Sequence, residues 1–107
     1  MKHKIKQEQL EWTKSKIKGF YGKELIAQEK GSVKLVRIDP VATYPEHLHP
    51  SKTEYAHIIE GNPIIVIENQ HYTSKPGDFY IFPVNTKHAI INNTSDECLL
   101  LIGAIEN

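Results

Sequence analysis

Hydrophobic and polar positions alternate over short stretches through most of the chain, and turn-forming residues separate one stretch from the next. Short alternating runs bounded by glycine, proline, asparagine or aspartate predict β-strands, and little of the chain follows the helical period. The predicted strands cover residues 16–21, 23–29, 32–38, 43–49, 54–60, 63–68, 70–73, 79–82, 87–92 and 98–106. Many short strands at close spacing predict an all-β sandwich or barrel.

Two of these stretches, residues 64–67 and 99–102, are apolar on both faces. Such strands lie between two layers, as in a double-sheet jelly roll. The predicted fold is therefore an all-β, double-stranded jelly-roll barrel over residues 16–107. Residues 1–15 form a short N-terminal arm whose Trp12 packs on the barrel. The lysines of this arm are diluted by Glu8 and Glu11, so a solvated arm is favoured over one that binds nucleic acid.

Composition narrows the function classes further. A chain of 107 residues suits one domain, and its 13 basic and 13 acidic side chains give a formal net charge of zero. We therefore expect no nucleic-acid partner. The sequence has no run of about 20 apolar residues, so no membrane partner is expected either. Cys98 is the only cysteine, which excludes an internal disulfide and favours a reducing compartment, the cytoplasm.

The candidate chemistry is concentrated around residues 46–54. His47 and His49 are two positions apart, so on a strand both imidazoles leave the same face, about 6.6 Å apart along the backbone. Two such rings could close on one metal ion. Glu54 opens the next predicted strand, and His88 follows a turn 34 residues later. Three imidazoles and one carboxylate suit a divalent transition metal such as iron, zinc, manganese, nickel or cobalt, without choosing among them.

The spacing of these residues resembles the two motifs of the cupin superfamily. His47, His49, Glu54 and Gly61 match the first motif, and Gly77, Pro83, His88 and Asn92 match the second. The resemblance implies a jelly-roll barrel that binds one metal ion through His47, His49, Glu54 and His88 and opens at one end to a small-molecule ligand. Gly61 and Gly77 are expected in turns.

Two motif positions depart from the family pattern. Val41 stands where the first motif has its opening glycine, and Asn85 where the second has its middle glycine. Asparagine adopts the left-handed conformation at modest cost, whereas a β-branched valine does not. We therefore expect the turn before His47 to be built differently from that of the family.

A finer likeness concerns Trp12, Gly19, Lys23, Leu25 and the segment Leu35-Val36-Arg37. These residues resemble the small cupins related to the zinc-binding domain of anti-sigma factors, and some dioxygenase-like cupins share the layout.

Further positions are assigned from strand alternation. Ala56 and Ile58 are expected to face inward with Glu54, and Tyr55, His57 and Ile59 outward, as a candidate homodimer contact or a face covered by the arm. Candidate pocket-wall residues are Arg37, Tyr44, Tyr80 and Phe82, although a solvent-facing Arg37, an outward Tyr44 and a packing role for Tyr80 are favoured. Asn92 is expected to be a structural hydrogen-bonder, Cys98 a buried inert thiol, and His3 and His71 exposed.

The apolar inner wall predicted from Ala56, Ile58 and Ile90 favours an uncharged or weakly polar small substrate. The function predicted is a metal-dependent enzyme of dioxygenase-like or lyase-like type. The alternative is a non-enzymatic metal-dependent sensor or small-ligand-binding module. The reaction, and whether the protein is an enzyme at all, stay open at this stage.

Overall fold

A computed structural model describes residues 3–107 and is built almost entirely from β-strands. Within that range there is a single 3₁₀ turn, Gln7–Gln9, and no helix long and apolar enough to cross a membrane. The ten strands are β1 Thr13–Lys14, β2 Phe20–Gln28, β3 Gly31–Ile38, β4 Ala42–His47, β5 Lys52–Glu60, β6 Ile64–Ile67, β7 Gln70–Thr73, β8 Phe79–Phe82, β9 His88–Asn92 and β10 Cys98–Glu106.

The strands form two antiparallel sheets, as the jelly-roll prediction requires. A six-stranded sheet has the order β1-β2-β3-β10-β5-β8, and a four-stranded sheet has the order β4-β9-β6-β7. Side chains from the facing surfaces of both sheets meet in the core, which includes Ile38, Ile58, Ile65 and Leu100, all fully buried. Tyr44, Phe82 and Ile90 pack in or against this core and also line a cavity that reaches the candidate metal residues.

The first long strand differs from the sequence prediction. Residues 20–28 form one strand, where the sequence predicted two strands broken at Gly22. Gly22 pairs with Val36 inside the ladder, so it does not end the strand. The chain turns earlier instead, at Gly19, whose φ of +86° is the left-handed conformation that glycine adopts readily.

The turn before β4 also corrects the prediction. Val41 has a φ of +59°, so it adopts the left-handed conformation that was expected to be too costly for a valine. Asn85 has a φ of +57°, as expected. Gly61 and Gly77 also have positive φ and lie in turns, which confirms their structural assignment.

The N-terminal arm folds back along the six-stranded sheet. Met1 and Lys2 of the predicted arm lie outside the described residues. Thr13 and Lys14 form β1 and pair with β2 at the edge of the sheet. Trp12 lies on the outer face, with its ring 4.5 Å from Lys23 Nζ and 5.0 Å from the Arg37 guanidinium. The arm therefore adds a short strand and covers one end of the outer face.

Candidate metal centre

Four predicted side chains converge beside a cavity in the barrel. One ligand atom from each of His47, His49, Glu54 and His88 lies within 4.8 Å of the others. The cluster could therefore hold a single metal ion. We refer to these four residues as the tetrad.

The four tetrad residues lie on different strands and on one loop. His47 ends β4 and pairs with His88, the first residue of β9, so their rings lie 4.2 Å apart between centroids. Glu54 enters from β5 in the opposite sheet. The prediction that residues 43–49 form one strand was too long, because β4 ends at His47 and His49 lies in the following loop. The His49 ring still lies 5.1 Å from that of His47.

Backbone carbonyls orient two of the imidazoles. His47 Nδ1 donates to Pro45 O at 2.8 Å, and His88 Nδ1 donates to Thr86 O at 3.0 Å. Because each Nδ1 carries the proton, each neutral ring presents the lone pair of Nε2 to the centre. The Phe82 ring stacks on His88 at 4.2 Å and holds it in place. Phe82 is thus part of the wall behind the tetrad.

The donor set fits a cation. Glu54 Oε1 lies 3.1 Å from His49 Nε2 and 3.2 Å from His88 Nε2. In neutral imidazoles with Nδ1 protonated, these nitrogens and the carboxylate are all electron-pair donors that need a positive charge between them. His49 Nε2 is also buried without a hydrogen-bond partner. Three nitrogens and one oxygen suit a divalent transition metal.

Burial and the neighbouring basic groups act on the pKa values of two tetrad residues, and both net shifts are downward. Burial lowers the pKa of His47, as do the charges of His88 and His49, while its hydrogen bond to Pro45 opposes the shift. Burial raises the pKa of Glu54, but its 3.2 Å contact with the His88 ring and the neighbouring basic groups His49 and Lys52 outweigh burial, so the net shift is downward. Neutral imidazole and ionised carboxylate are the forms that bind metal.

A cavity of about 570 Å³ reaches the tetrad from one side. The side chains of His49 and Glu54 are 27% and 17% exposed, whereas that of His88 is 1% exposed. The approach is therefore over His49 and Glu54, with His88 at the back. An ion held there would have one side open to a ligand, which is the arrangement of reactive metal sites.

A bulge places Tyr44 in this cavity, contrary to the prediction from strict alternation. The pairing of β4 with β9 shifts between Tyr44 and His47, so both residues face the same side. Tyr44 lines the cavity, and its ring lies 4.6 Å from that of His47. Pro45 lies within the irregularity, and a proline inside a predicted strand is the signal that could have indicated it.

The cavity has polar walls that the sequence did not reveal. Lys14, Lys34 and Lys52 line it, and so does part of the N-terminal arm. Of the three residues from which an apolar wall was inferred, Ile90 lines the cavity, while Ala56 and Ile58 are fully buried. The basis for expecting an uncharged substrate is therefore largely removed.

The other candidates lie away from the tetrad. Arg37 is on the outer face, with its guanidinium 4.3 Å from the Tyr21 ring, as the solvent-facing assignment predicted. Tyr80 lies inside the barrel and shares a 2.9 Å hydrogen bond with Ser74. Asn92 donates to the carbonyls of Asp39 and Asp96, which confirms a structural role.

The remaining histidines and the cysteine follow the prediction. His57 is on the outer face beside Phe79, and His3 and His71 are exposed. Cys98 is 1% exposed, and burial raises the pKa of its thiol, so the nucleophilic thiolate is disfavoured.

Comparison with known proteins agrees with this architecture. Residues 34–103 match the family described as Cupin domain. Germin-like protein subfamily 1 member 7 from Arabidopsis thaliana is 36% identical over 70 residues, which cover 56% of this chain and 31% of that protein. The chain thus spans about a third of the length of this curated relative.

Solved structures share the fold at low sequence identity. A predicted oxalate decarboxylase from Thermotoga maritima superposes with a TM-score of 0.89 at 17% identity, covering 96% of this chain and 98% of that one. KdgF from Halomonas sp. superposes with a TM-score of 0.86 at 16% identity, covering 100% and 96%.

The polyketide cyclase RemF from Streptomyces resistomycificus superposes with a TM-score of 0.87 at 17% identity, covering 98% of this chain and 80% of that one. At these identities the likeness establishes the fold alone. The family match spans more than half of the chain and includes the whole tetrad. The chain belongs to the cupin superfamily, as a small jelly-roll domain.

Proposed function

We propose that this protein is a metal-dependent enzyme of dioxygenase-like or lyase-like type, acting on a small molecule. The observation that carries the proposal is the convergence of three imidazole nitrogens and one carboxylate oxygen within 4.8 Å beside an open cavity. The cavity volume of about 570 Å³ suits a small substrate.

The chain's own residues have separable tasks in this proposal. His47, His49, Glu54 and His88 would hold one divalent transition metal, which when bound supplies Lewis-acid chemistry and, if redox-active, electron transfer. Pro45 O and Thr86 O fix the tautomers of His47 and His88. Tyr44 supplies an aromatic wall against which a substrate can lie beside His47.

Metal analysis of untagged protein, purified without added metal, tests the proposal. We expect one ion per chain in the wild type, and loss of stoichiometric binding in His49→Ala and Glu54→Ala because each removes a converging donor. His57→Ala is the matched control, since its ring lies on the outer face beside Phe79, and it should retain the ion. A wild type that binds no metal on reconstitution would contradict the proposal.

The identity of the ion separates the enzyme from the alternative, a metal-dependent sensor or ligand-binding module. Iron would favour oxygen chemistry, and zinc would favour a sensor. The likeness to anti-sigma-type cupins includes Trp12, Lys23 and Arg37, which pack together on the outer face. Because these residues lie on the outer face, the likeness concerns how the arm packs on the sheet. It does not bear on the chemistry in the cavity.

We further propose a homodimer formed through the outer face of the six-stranded sheet. The arm covers the β2–β3 end of that face, but Phe79, Ile81 and Ile105 are each more than half exposed. Tyr55 and His57 lie beside Phe79. Large exposed apolar patches of this kind are typical of interfaces. The cytoplasm is the proposed location, on the ground that the single cysteine is a free thiol.

A further inference from the structure

We propose that the cavity recognises a small organic acid as its monoanionic carboxylate, held by Lys34 and Lys52, with an apolar body in the barrel. This inference rests on the proposed function for the role of the tetrad, but the lysine site is a separate set of residues. It replaces the expectation of an uncharged substrate with a defined substrate class.

The two lysines come from strands that flank β10 in the six-stranded sheet. Lys52 begins β5 and is two residues before Glu54 on the same face, close enough for its charge to act on that carboxylate. Lys34 lies on β3 and pairs with Ile102, which also lines the cavity. The Lys34 Cδ atom is 3.8 Å from the position that a Cβ of Gly22 would occupy.

Neither ammonium group lies within ion-pair distance of a carboxylate among the described residues. Within residues 3–107, no carboxylate forms an ion pair with Lys34 or Lys52, and neither side chain forms a hydrogen bond to the protein. Lys23 differs, because its Nζ donates to Gln7 at 2.9 Å and is occupied by the arm. Lys34 and Lys52 are thus free to bind an anion.

Opposite charges are present around the cavity but do not cancel the basic groups. The charged side chains that line the cavity are three glutamates and four lysines, a net charge of +1: Glu11, Glu24, Glu54, Lys14, Lys23, Lys34 and Lys52. Glu24 is the cross-strand neighbour of Lys34 without reaching ion-pair distance. A divalent ion on the tetrad would add two further positive charges, of which the Glu54 carboxylate neutralises only one. The cavity therefore favours anions over neutral molecules.

Apolar side chains define the rest of the ligand. Val36, Ile90 and Ile102 line the cavity between the lysines and the core, and Phe20 and Tyr44 close one wall. A ligand that spans this space needs an apolar body as well as a charged group. A highly hydrated, multiply charged ligand would leave these surfaces unmatched.

The donors favour a carboxylate over a phosphate. Phosphate sites typically use an arginine fork, a helix N-terminus or a cradle of backbone N–H groups. The chain's single arginine, Arg37, lies on the outer face, and the 3₁₀ turn Gln7–Gln9 is the only helical segment among residues 3–107. The net charge of +1 of the lining side chains matches one carboxylate and falls short of a doubly charged phosphate.

Binding of benzoate, benzamide and phenyl phosphate to the protein, carrying the metal with which it is purified, tests the inference by calorimetry. Benzamide matches benzoate in shape but lacks the charge, so we expect benzoate to bind about ten-fold more tightly. In the double variant Lys34→Met/Lys52→Met this preference should be lost while metal content is unchanged. Lys34→Arg/Lys52→Arg should retain it.

The matched control is Lys18→Met/Lys75→Met, which removes the same charge from residues outside the cavity lining and should keep the benzoate preference. An unchanged preference in Lys34→Met/Lys52→Met would overturn the inference, because the metal alone would then select the anion. Tighter binding of phenyl phosphate than of benzoate would overturn the assignment to a carboxylate. A protein that holds no metal but prefers benzoate through the two lysines would support this inference and contradict the proposed function.

Discussion

Val41 departs from the motif of its family, yet it adopts a backbone conformation that glycine favours. Its φ of +59° lies in the region that glycine favours, and its side chain is 80% exposed, so no packing compensates for the conformation. Pro40 precedes it, and proline followed by a residue at positive φ is the pattern of a type II turn. The surrounding fold imposes this turn on a β-branched residue.

Replacing this valine with glycine should stabilise the protein. In Val41→Gly we expect the free energy of unfolding to rise by about 0.5–1 kcal/mol, because relief of the left-handed strain exceeds the added entropy of the unfolded chain. Chemical denaturation monitored by circular dichroism measures the change. Val84→Gly is the control, since Val84 is also an exposed loop valine but lies outside the positive-φ set, and it should lose stability. A destabilised Val41→Gly would contradict this reading of the turn.

Pairing between β5 and β10 depends on a residue without a side chain. Gly103 pairs with Tyr55, and a Cβ at position 103 would collide with the Tyr55 ring. The ring therefore lies over the glycine and stacks against Phe79, 5.5 Å between centroids. Alternation along β5 predicted that Tyr55 points outward, but not that it leans across β10.

Adding a side chain at position 103 should weaken the pairing of β5 with β10. Gly103→Ala is expected to lower the free energy of unfolding by about 1–3 kcal/mol, because the Tyr55 ring must move. The penalty should fall in a Tyr55→Ala background, and a double-mutant cycle by denaturation measures the coupling. Gly22→Ala is the control, since a Cβ there meets neighbours at 3.7 and 3.8 Å, which is ordinary contact. Equal penalties in the two backgrounds would show that Tyr55 is not the cause.

The bounds of strands were predicted most accurately where turn-forming residues flank the strand. The strands Gln70–Thr73, Phe79–Phe82 and Cys98–Glu106 have the predicted bounds. The prediction was wrong at Gly22, because pairing of β2 with β3 continues through this glycine although glycine often ends a strand. It was also wrong at residues 48–49, because β4 ends at His47. The bulge that turns Tyr44 toward the tetrad lies in the pairing of β4 with β9, and Pro45 is its one local signal in the sequence.

At the scale of the whole molecule, the uncovered half of the outer face predicts self-association. We expect the wild type to sediment as a dimer and Ile81→Glu to sediment as a monomer, because Ile81 is 57% exposed on that face and a charge there would oppose burial. Analytical ultracentrifugation measures the mass. Val84→Glu adds the same charge to an exposed loop and should stay dimeric. A monomeric wild type at micromolar concentration would contradict the homodimer.

The sequence by itself determined the all-β class and most strand bounds to within about two residues, because strand alternation and turn residues are local properties. The motif spacing identified the four residues of the tetrad. Only the tertiary structure decided that Val41 is held at positive φ, that Tyr44 faces the tetrad, and that Lys34 and Lys52 border one cavity. Those two lysines lie on strands separated in the sheet by β10. Their proximity to one cavity follows from the order of strands in the sheet, which short-range patterns do not encode.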